Sequence, residues 1–503
     1  MEKANRSQNT TTTITVSRHA WFTLAILSST LLTVFFSETM LLPAIPEIIK
    51  DFKIPYSTAA WIFSAYLIVA AVMTPLAGRL SDLYGKKKVL LTLLSIYIVG
   101  VIAGGFSDNI SFLLASRLIQ GVGLAAVPAA FSLLRDTFPP SKLAIAIGVF
   151  GSAYSAGSVV GLLAGATIIQ NFGWHATFLT IVPFVILVTA MIAKFVKENN
   201  SELNQSTTVA KAQEITSNKK WPSISIDIKG VVALSVTITS FLVALTLIQV
   251  GGVRSDSLLQ IATAFVISAI SLAVFVIFER RIEVPFLNLK LLRHKILLPS
   301  YIILIATGIT MFMIYPTIVQ LVRSPMPLGF GGNAVDAANV QLPFMVAFLM
   351  FAGITPFLIN RTGSIKPAII GALISLIGGI SLLMFHSTEF AVSSNLAIIA
   401  SGLSLTMTAT WNMVVSSSPK EFTGISVGVG ALLLFIGMAI GPALAGVYMG
   451  IRETNEQVEG SSYPSPETYN SVFLTAGLLS AVSLGFALIL RRGLLLAQKE
   501  IEG

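Results

Sequence analysis

Long apolar runs alternate with short polar, turn-rich breaks along almost the whole chain. Fourteen runs have roughly the ~20 residues that a helix needs to cross a hydrocarbon core. They fall at 20–44, 57–77, 89–106, 110–134, 143–169, 174–194, 230–250, 258–278, 297–321, 339–359, 367–385, 391–415, 424–449 and 470–490. In lipid, every backbone N–H and C=O must be paired within the protein, so runs of this length predict helices. A membrane barrel would instead show alternating segments of about ten residues, and none occur.

Composition agrees with that pattern. The chain is 54% hydrophobic and only 11% charged over 503 residues. A soluble domain of this size carries far more charge. The net charge of +9 raises the question of a nucleic-acid partner, and its distribution answers it. With the N-terminus placed in the cytoplasm, only Lys50, Lys53, Arg254, Arg323 and Arg452 fall in outside segments, and only Arg117 falls well within a run. The other basic residues lie inside. This positive-inside pattern predicts cytoplasmic termini and needs no nucleic acid. There are no cysteines, so disulfides and thiolate chemistry are excluded. The four histidines lie at run ends or in breaks with no metal-ligand spacing, and no metal site is expected. No phosphate-binding loop occurs, and no soluble segment is large enough for a nucleotide domain, so ATP-driven transport within this chain is not expected. No cofactor is expected.

The organisation read from the chain is 1–194 for six N-terminal spans, 195–229 for a polar cytoplasmic linker, 230–278 for spans 7 and 8, and 279–503 for six C-terminal spans. A repeat supports this division. Asp82-Leu83-Tyr84-Gly85 after span 2 is echoed by Asn360-Arg361-Thr362-Gly363 after span 10. Gly157, Gly161 and Gly165 in span 5 are echoed by Gly437, Gly441 and Gly446 in span 13. Spans 1–6 then align with spans 9–14.

Three segments carry chemistry. The break after span 2 holds Gly78, Arg79, Asp82, Gly85, Lys86 and Lys87. Glycines permit a sharp turn, and Asp82 can pair with Arg79 or cap a neighbouring helix. A plain basic anchor would explain the lysines but not the glycines and Asp82 at this spacing. Span 4 holds Arg117, with Gln120, Gly121 and Gly123 behind it. A charge there costs several kcal/mol and is usually paired and functional. Its bland reading is an arginine satisfied by carbonyls. Span 1 holds Glu38, which alone among the 23 acidic residues sits well within a run. A carboxyl removed from water can exchange a proton near neutral pH. The bland reading is a glutamate lining a hydrated mouth. Pro43 and Pro46 follow it and predict that span 1 bends or ends there.

The turn at 78–88 resembles the loop 2–3 signature of the major facilitator superfamily (G-x-L-x-D-x-x-G-r-K-x). Span 4 is similar to that family's R-x-x-q-G-x-g-a motif, at Arg117, Gln120, Gly121, Gly123 and Ala125. The resemblance implies an all-α polytopic membrane protein with the major facilitator fold: two six-helix bundles plus two extra transmembrane helices. It implies a gate latch at Gly78, Asp82, Gly85 and the lysines, and proton transfer involving Arg117. Span 5 is similar to the antiporter motif (g-x-x-x-G-P-x-x-G-G) at Gly157, Gly161 and Gly165, but Leu162 replaces the usual Pro and Ala166 the usual Gly. Glu38, Thr39, Ala44 and Pro46 resemble the span-1 pattern of fourteen-span drug exporters, with the acid displaced by one position. Val415-Ser416-Ser417-Ser418-Pro419-Lys420 resembles tetracycline:proton antiporters.

These resemblances imply a proton-coupled exporter of hydrophobic, often cationic compounds, driven by the proton gradient and working by alternating access. Its partners would be a small hydrophobic or cationic substrate, protons and the lipid bilayer. It would be a monomer in the plasma membrane, with Glu38 and Arg117 as the coupling pair. Tyr66, Tyr154, Tyr315, Gln341, Trp411 and Asn412 are the candidate cavity residues. The alternatives are a proton symporter or uniporter for a nutrient, metabolite or siderophore, and more remotely a sensor or an intramembrane enzyme. An enzyme would need clustered His, Asp or Ser within the spans, where the chain offers one Glu and one Arg.

Overall fold

A computed structural model describes residues 16–54, 56–197, 228–251, 255–282, 294–418, 423–451 and 464–502. Among them, fourteen helices are long and apolar enough to cross a membrane. Each coincides with one of the predicted runs, and most extend a few residues further at one or both ends. Most of the predicted linker, including 198–227, lies outside the described residues.

Spans 1 and 4 are interrupted. In span 1 the helix Arg18–Met40 gives way to a 3₁₀ turn, Leu42–Ala44, and a short helix, Ile45–Phe52. Pro43 and Pro46 stand at the starts of the two short pieces, where a missing N–H costs no hydrogen bond. Span 4 divides into Ile110–Leu124 and Ala126–Thr137. Pro128 cannot donate to the carbonyl of Leu124, and the helix restarts at that point. Polar residues cap several helices. Asn109 accepts from the N–H of Phe112 at 2.9 Å, and Asn333 forms a reciprocal capping box with Asp336.

The packing is the same in both sets of six helices. Within spans 1–6, span 1 packs on spans 5 and 6, span 3 on 4 and 6, and span 2 on 4. Within spans 9–14, span 9 packs on 13 and 14, span 11 on 12 and 14, and span 10 on 12. The two sets meet along span 2 against span 13 and span 5 against span 10, which again are equivalent pairs. Gly85 and Gly363 both turn between consecutive helices at positive φ, 95° and 77°, a region that side-chain-bearing residues avoid. The weak sequence repeat is therefore a repeat of turns and contacts.

Glycines set the distance between spans 1 and 5. A Cβ at Gly157, Gly161 or Gly165 would strike the backbone of Leu32, Phe36 or Met40 respectively. In the second half, a Cβ at Gly437 would strike Ile305, and one at Gly441 would strike Ile309 and Met313. Small residues allow helices to approach to backbone contact, which is a main source of helix association in lipid.

Spans 7 (Ile228–Gly251) and 8 (Ser255–Arg281) form a hairpin outside this core. Span 8 is the least covered of the fourteen, with 22% of its apolar stretch buried. Span 7 rests on the seam between spans 2 and 13. The Trp61 indole N–H of span 2 donates to the Thr246 hydroxyl of span 7 at 3.0 Å.

Candidate functional site: a buried acid above an apolar cavity

Glu38 is 4% exposed. Neither carboxylate oxygen makes a hydrogen bond. Its polar neighbours come from other helices: the Tyr66 hydroxyl of span 2 stands beside it without reaching hydrogen-bond geometry, and Arg117 of span 4 lies within electrostatic reach. The next residue fixes span 1 in place. The Thr39 hydroxyl donates to the carbonyls of Phe35 and Ser158, each at 3.0 Å.

Arg117 is fully enclosed, at 2% exposure. Its Nε donates to the carbonyl of Ile62 at 3.0 Å, and its Nη1 donates to Gln120 Oε1 at 2.7 Å. Gln120 Nε2 in turn donates to the carbonyl of Gly100 at 3.0 Å. The guanidinium carbon lies 4.1 Å from the centre of the Tyr66 ring, a cation–π contact. Gly121 and Gly123 bring spans 2 and 3 close around it, because a Cβ there would strike the Tyr66 carbonyl or the Tyr97 ring. The span-4 motif thus builds a socket for one arginine, and Nη2 is left without a hydrogen bond.

One face of the molecule carries the loop between spans 2 and 3; a cavity of about 110 Å³ lies between the halves on that side of Glu38. Six aromatic rings line it, from Phe35, Phe131, Tyr154, Phe348, Trp411 and Phe435, together with Met311, Met407 and Met438. Among the described residues, no charged side chain lines it. Phe131 of span 4 stacks on Trp411 of span 12 with centroids 6.2 Å apart. Concave, mostly apolar sites with a few polar groups are the usual form of small-molecule pockets, and methionines let such a surface adapt.

On the opposite face the halves are held together. Arg323 of span 9 donates to both oxygens of Glu47 and to the carbonyl of Pro43. Deeper on that side, the Ser64 hydroxyl of span 2 donates to the carbonyl of Ala439 in span 13 at 3.0 Å.

The structure sorts the candidate cavity residues. Tyr154 and Trp411 line the cavity. Tyr66 stands instead between Glu38 and Arg117. Tyr315 and Gln341 lie together in the second half, where Gln341 Nε2 donates to the Tyr315 carbonyl at 2.6 Å. Asn412 follows Trp411 in sequence, but its Oδ1 accepts from the Ser364 hydroxyl at the start of span 11. Consecutive helical residues point about 100° apart, so the pair serves different helices.

In the loop 2–3 motif, Lys86 forms an ion pair with Asp136 at the end of span 4. Lys87 donates to the carbonyl of Ala193 in span 6 at 2.7 Å. Both contacts lie within the first six helices, and neither joins the two halves. A Cβ at Gly78 would meet open space, so no close approach requires glycine there. The side chains of Arg79 and Asp82 lie outside the described residues, as do Pro419 and Lys420. Among the described residues, no group of His, Asp and Glu could hold a metal ion.

Sequence reasoning passed over the cavity methionines and phenylalanines. Their one visible signal is spacing: Leu31, Phe35 and Glu38 fall on one face of span 1.

Comparisons with known proteins identify the family. The family model of the Major Facilitator Superfamily matches residues 27–442. The chain belongs to that superfamily of membrane transporters. It is 28% identical to Multidrug resistance protein 3 of Bacillus subtilis over 61% of this chain and 56% of that protein. It is 26% identical to the Tetracenomycin C resistance and export protein of Streptomyces glaucescens, covering 86% of this chain and 76% of that protein. It is 24% identical to Multidrug efflux pump LfrA of Mycolicibacterium smegmatis, covering 91% and 86%. The crystal structure of the human organic anion transporter MFSD10 superposes with a TM-score of 0.63 at 15% identity, covering 94% of this chain and 99% of that one. That likeness concerns the fold alone.

Proposed function

We propose that this protein is a proton-coupled exporter of hydrophobic, often cationic compounds. The observation that carries the reading is the arrangement along span 1. An apolar cavity between the halves lies one helical turn from a buried acid that has no hydrogen bond of its own. The relatives named for multidrug and tetracenomycin resistance support export of small molecules. Positive-inside charge supports cytoplasmic termini, a cytoplasmic loop 2–3 and a plasma-membrane location. On that assignment the cavity lies toward the cytoplasm, and Arg323 and Glu47 close the outside.

The cycle follows from the packing. Spans 1–6 and 9–14 rock about the seams of spans 2 with 13 and 5 with 10, while spans 7 and 8 ride outside. The working unit is a monomer. Glu38 carries the proton, and Arg117 biases its charge state through Tyr66. When the exported compound is neutral, a proton entering down 100 mV supplies about 2.3 kcal/mol; when it is a monovalent cation, one-for-one exchange moves no net charge and the pH difference supplies the energy. That energy returns the carrier after release of the compound.

The test has two parts. A resistance and accumulation screen in a pump-deficient host, with and without a protonophore, identifies substrates. Reconstituted vesicles then report protons moved as substrate moves. The native protein is expected to exchange one for the other, and Glu38→Gln is expected to lose the exchange. Unchanged coupled transport by Glu38→Gln would remove Glu38 from the mechanism.

A further inference from the structure

We propose that Phe35 and Tyr154 form an aromatic partition that keeps the substrate cavity apart from the acid at Glu38. This deepens the function proposed above and rests on it. Both rings line the cavity. Their centroids lie 4.1 Å apart, edge to face at 71°. Phe35 and Glu38 are three residues apart in one helix, so they share a face, with the carboxyl one turn beyond the ring. Glu38 itself does not line the cavity.

Residues from both halves hold the partition. The Tyr154 hydroxyl donates to Met311 Sδ of span 9 at 3.5 Å. Its ring tilts against Phe348 of span 10 at 5.8 Å. The partition therefore draws on spans 1 and 5 of one half and on spans 9 and 10 of the other. Any rocking of the halves changes its surroundings. Any occupant of the cavity lies against the same two rings.

The mechanism gains a specific property from this. A carrier that exchanges protons for substrate must not pass protons when the cavity is empty. The rings would supply that block: Glu38 is 4% exposed and is not among the residues that line the cavity. Phe35 and Tyr154 are positioning residues, and it is their rings that act. The Tyr154 hydroxyl also faces Tyr315 and Glu38, so the test separates ring from hydroxyl.

The test reads access to Glu38 directly. The full chain, in vesicles, is treated with a water-soluble carbodiimide and an amine, and tagging of Glu38 is measured by peptide mass spectrometry. Phe35→Ala and Tyr154→Ala are each expected to raise tagging at least tenfold over the native protein. Tyr154→Phe is expected to stay at the native level. Where an alanine variant does not fold, Phe35→Leu and Tyr154→Leu replace it, with the same direction expected. Substrate-free proton entry into the vesicles should rise in the same variants.

Native-level tagging and proton entry in both trimmed variants would overturn the partition. Tagging of Tyr154→Phe at the level of Tyr154→Ala would also overturn it, by shifting the role to the hydroxyl. The proposed function fails by a different result, namely retained substrate–proton exchange in Glu38→Gln. Tagging is a chemical measurement and does not depend on coupled transport.

Discussion

Arg323 Nη1 stands 2.7 Å from Glu47 Oε1 and 2.8 Å from Oε2, and it joins the last turn of span 9 to the short helix Ile45–Phe52 that ends span 1. The pair is partly exposed, at 18% and 32% of the side chains. Pairs of this kind contribute about 1 kcal/mol at most. That corresponds to roughly a fivefold change in a two-state equilibrium. The chain has no cysteine, so Ser64→Cys places a unique thiol at the closed seam beneath the pair. Glu47→Gln is expected to raise labelling of that thiol by an outside maleimide up to about fivefold. Exchanging the two charges, Glu47→Arg with Arg323→Glu, is expected to restore the native rate. An unchanged rate in Glu47→Gln would show that the clasp does not hold that face closed.

Arg117 is expected to resist even conservative change. Lysine lacks the planar fork that reaches the Ile62 carbonyl and Gln120 together. Hydrogen bonds to a charged group contribute about 1.5–3 kcal/mol each. Arg117→Lys should lower thermal stability in detergent by several degrees and reduce transport at least tenfold. Gln120→Leu removes one acceptor and should have the smaller effect. Equal behaviour of Arg117→Lys and native protein would contradict the socket described here.

Gly161 and Gly353 give a paired test of helix packing. A Cβ at Gly161 would strike the Phe36 carbonyl and the Thr39 hydroxyl, whereas one at Gly353 would meet open space. Overpacking of this kind costs roughly 1–3 kcal/mol. Gly161→Ala is expected to lower the melting temperature and slow transport. Gly353→Ala should leave both unchanged or raise stability slightly, because alanine is the better helix former. Gly441→Ala should resemble Gly161→Ala, since it strikes span 9 as Gly161 strikes span 1.

Trp411 and its neighbour Asn412 separate binding from scaffolding. Trp411 lines the cavity and stacks on Phe131. Losing a large ring at such a position costs about 1–3 kcal/mol of binding. Trp411→Ala should weaken substrate binding about tenfold or more in an equilibrium assay. Asn412→Ala should stay within about twofold, since its side chain is turned to Ser364. The reverse order would place the substrate elsewhere.

The sequence by itself determined the fourteen helices and their pairing into repeats. Hydrocarbon thickness fixes the length of a span, and lipid leaves the backbone no partner but itself. The proline breaks in span 1, the turn at Gly85 and the cost of a charge at Arg117 are local facts of the same kind. Arg117 and Glu38 were legible as candidate sites because each is the one charge of its sign deep in the apolar runs.

Tertiary structure decided which residues meet. A helix in lipid can be apolar all round, so the pattern that marks the inner face of a soluble helix is weak here. Nothing in the chain therefore told Trp411 from Asn412 as a cavity residue, or set Tyr66 beside Glu38 and Tyr154 beneath it. Two contacts of the lysines after Gly85 were likewise not legible along the chain: Lys86 meets Asp136 of span 4 and Lys87 the Ala193 carbonyl of span 6. Glu47 and Arg323 are 276 residues apart, and only packing spans 1 and 9 side by side makes them a pair. Those relationships depend on how helices of similar apolar character rotate and cross, which periodicity along one chain does not encode.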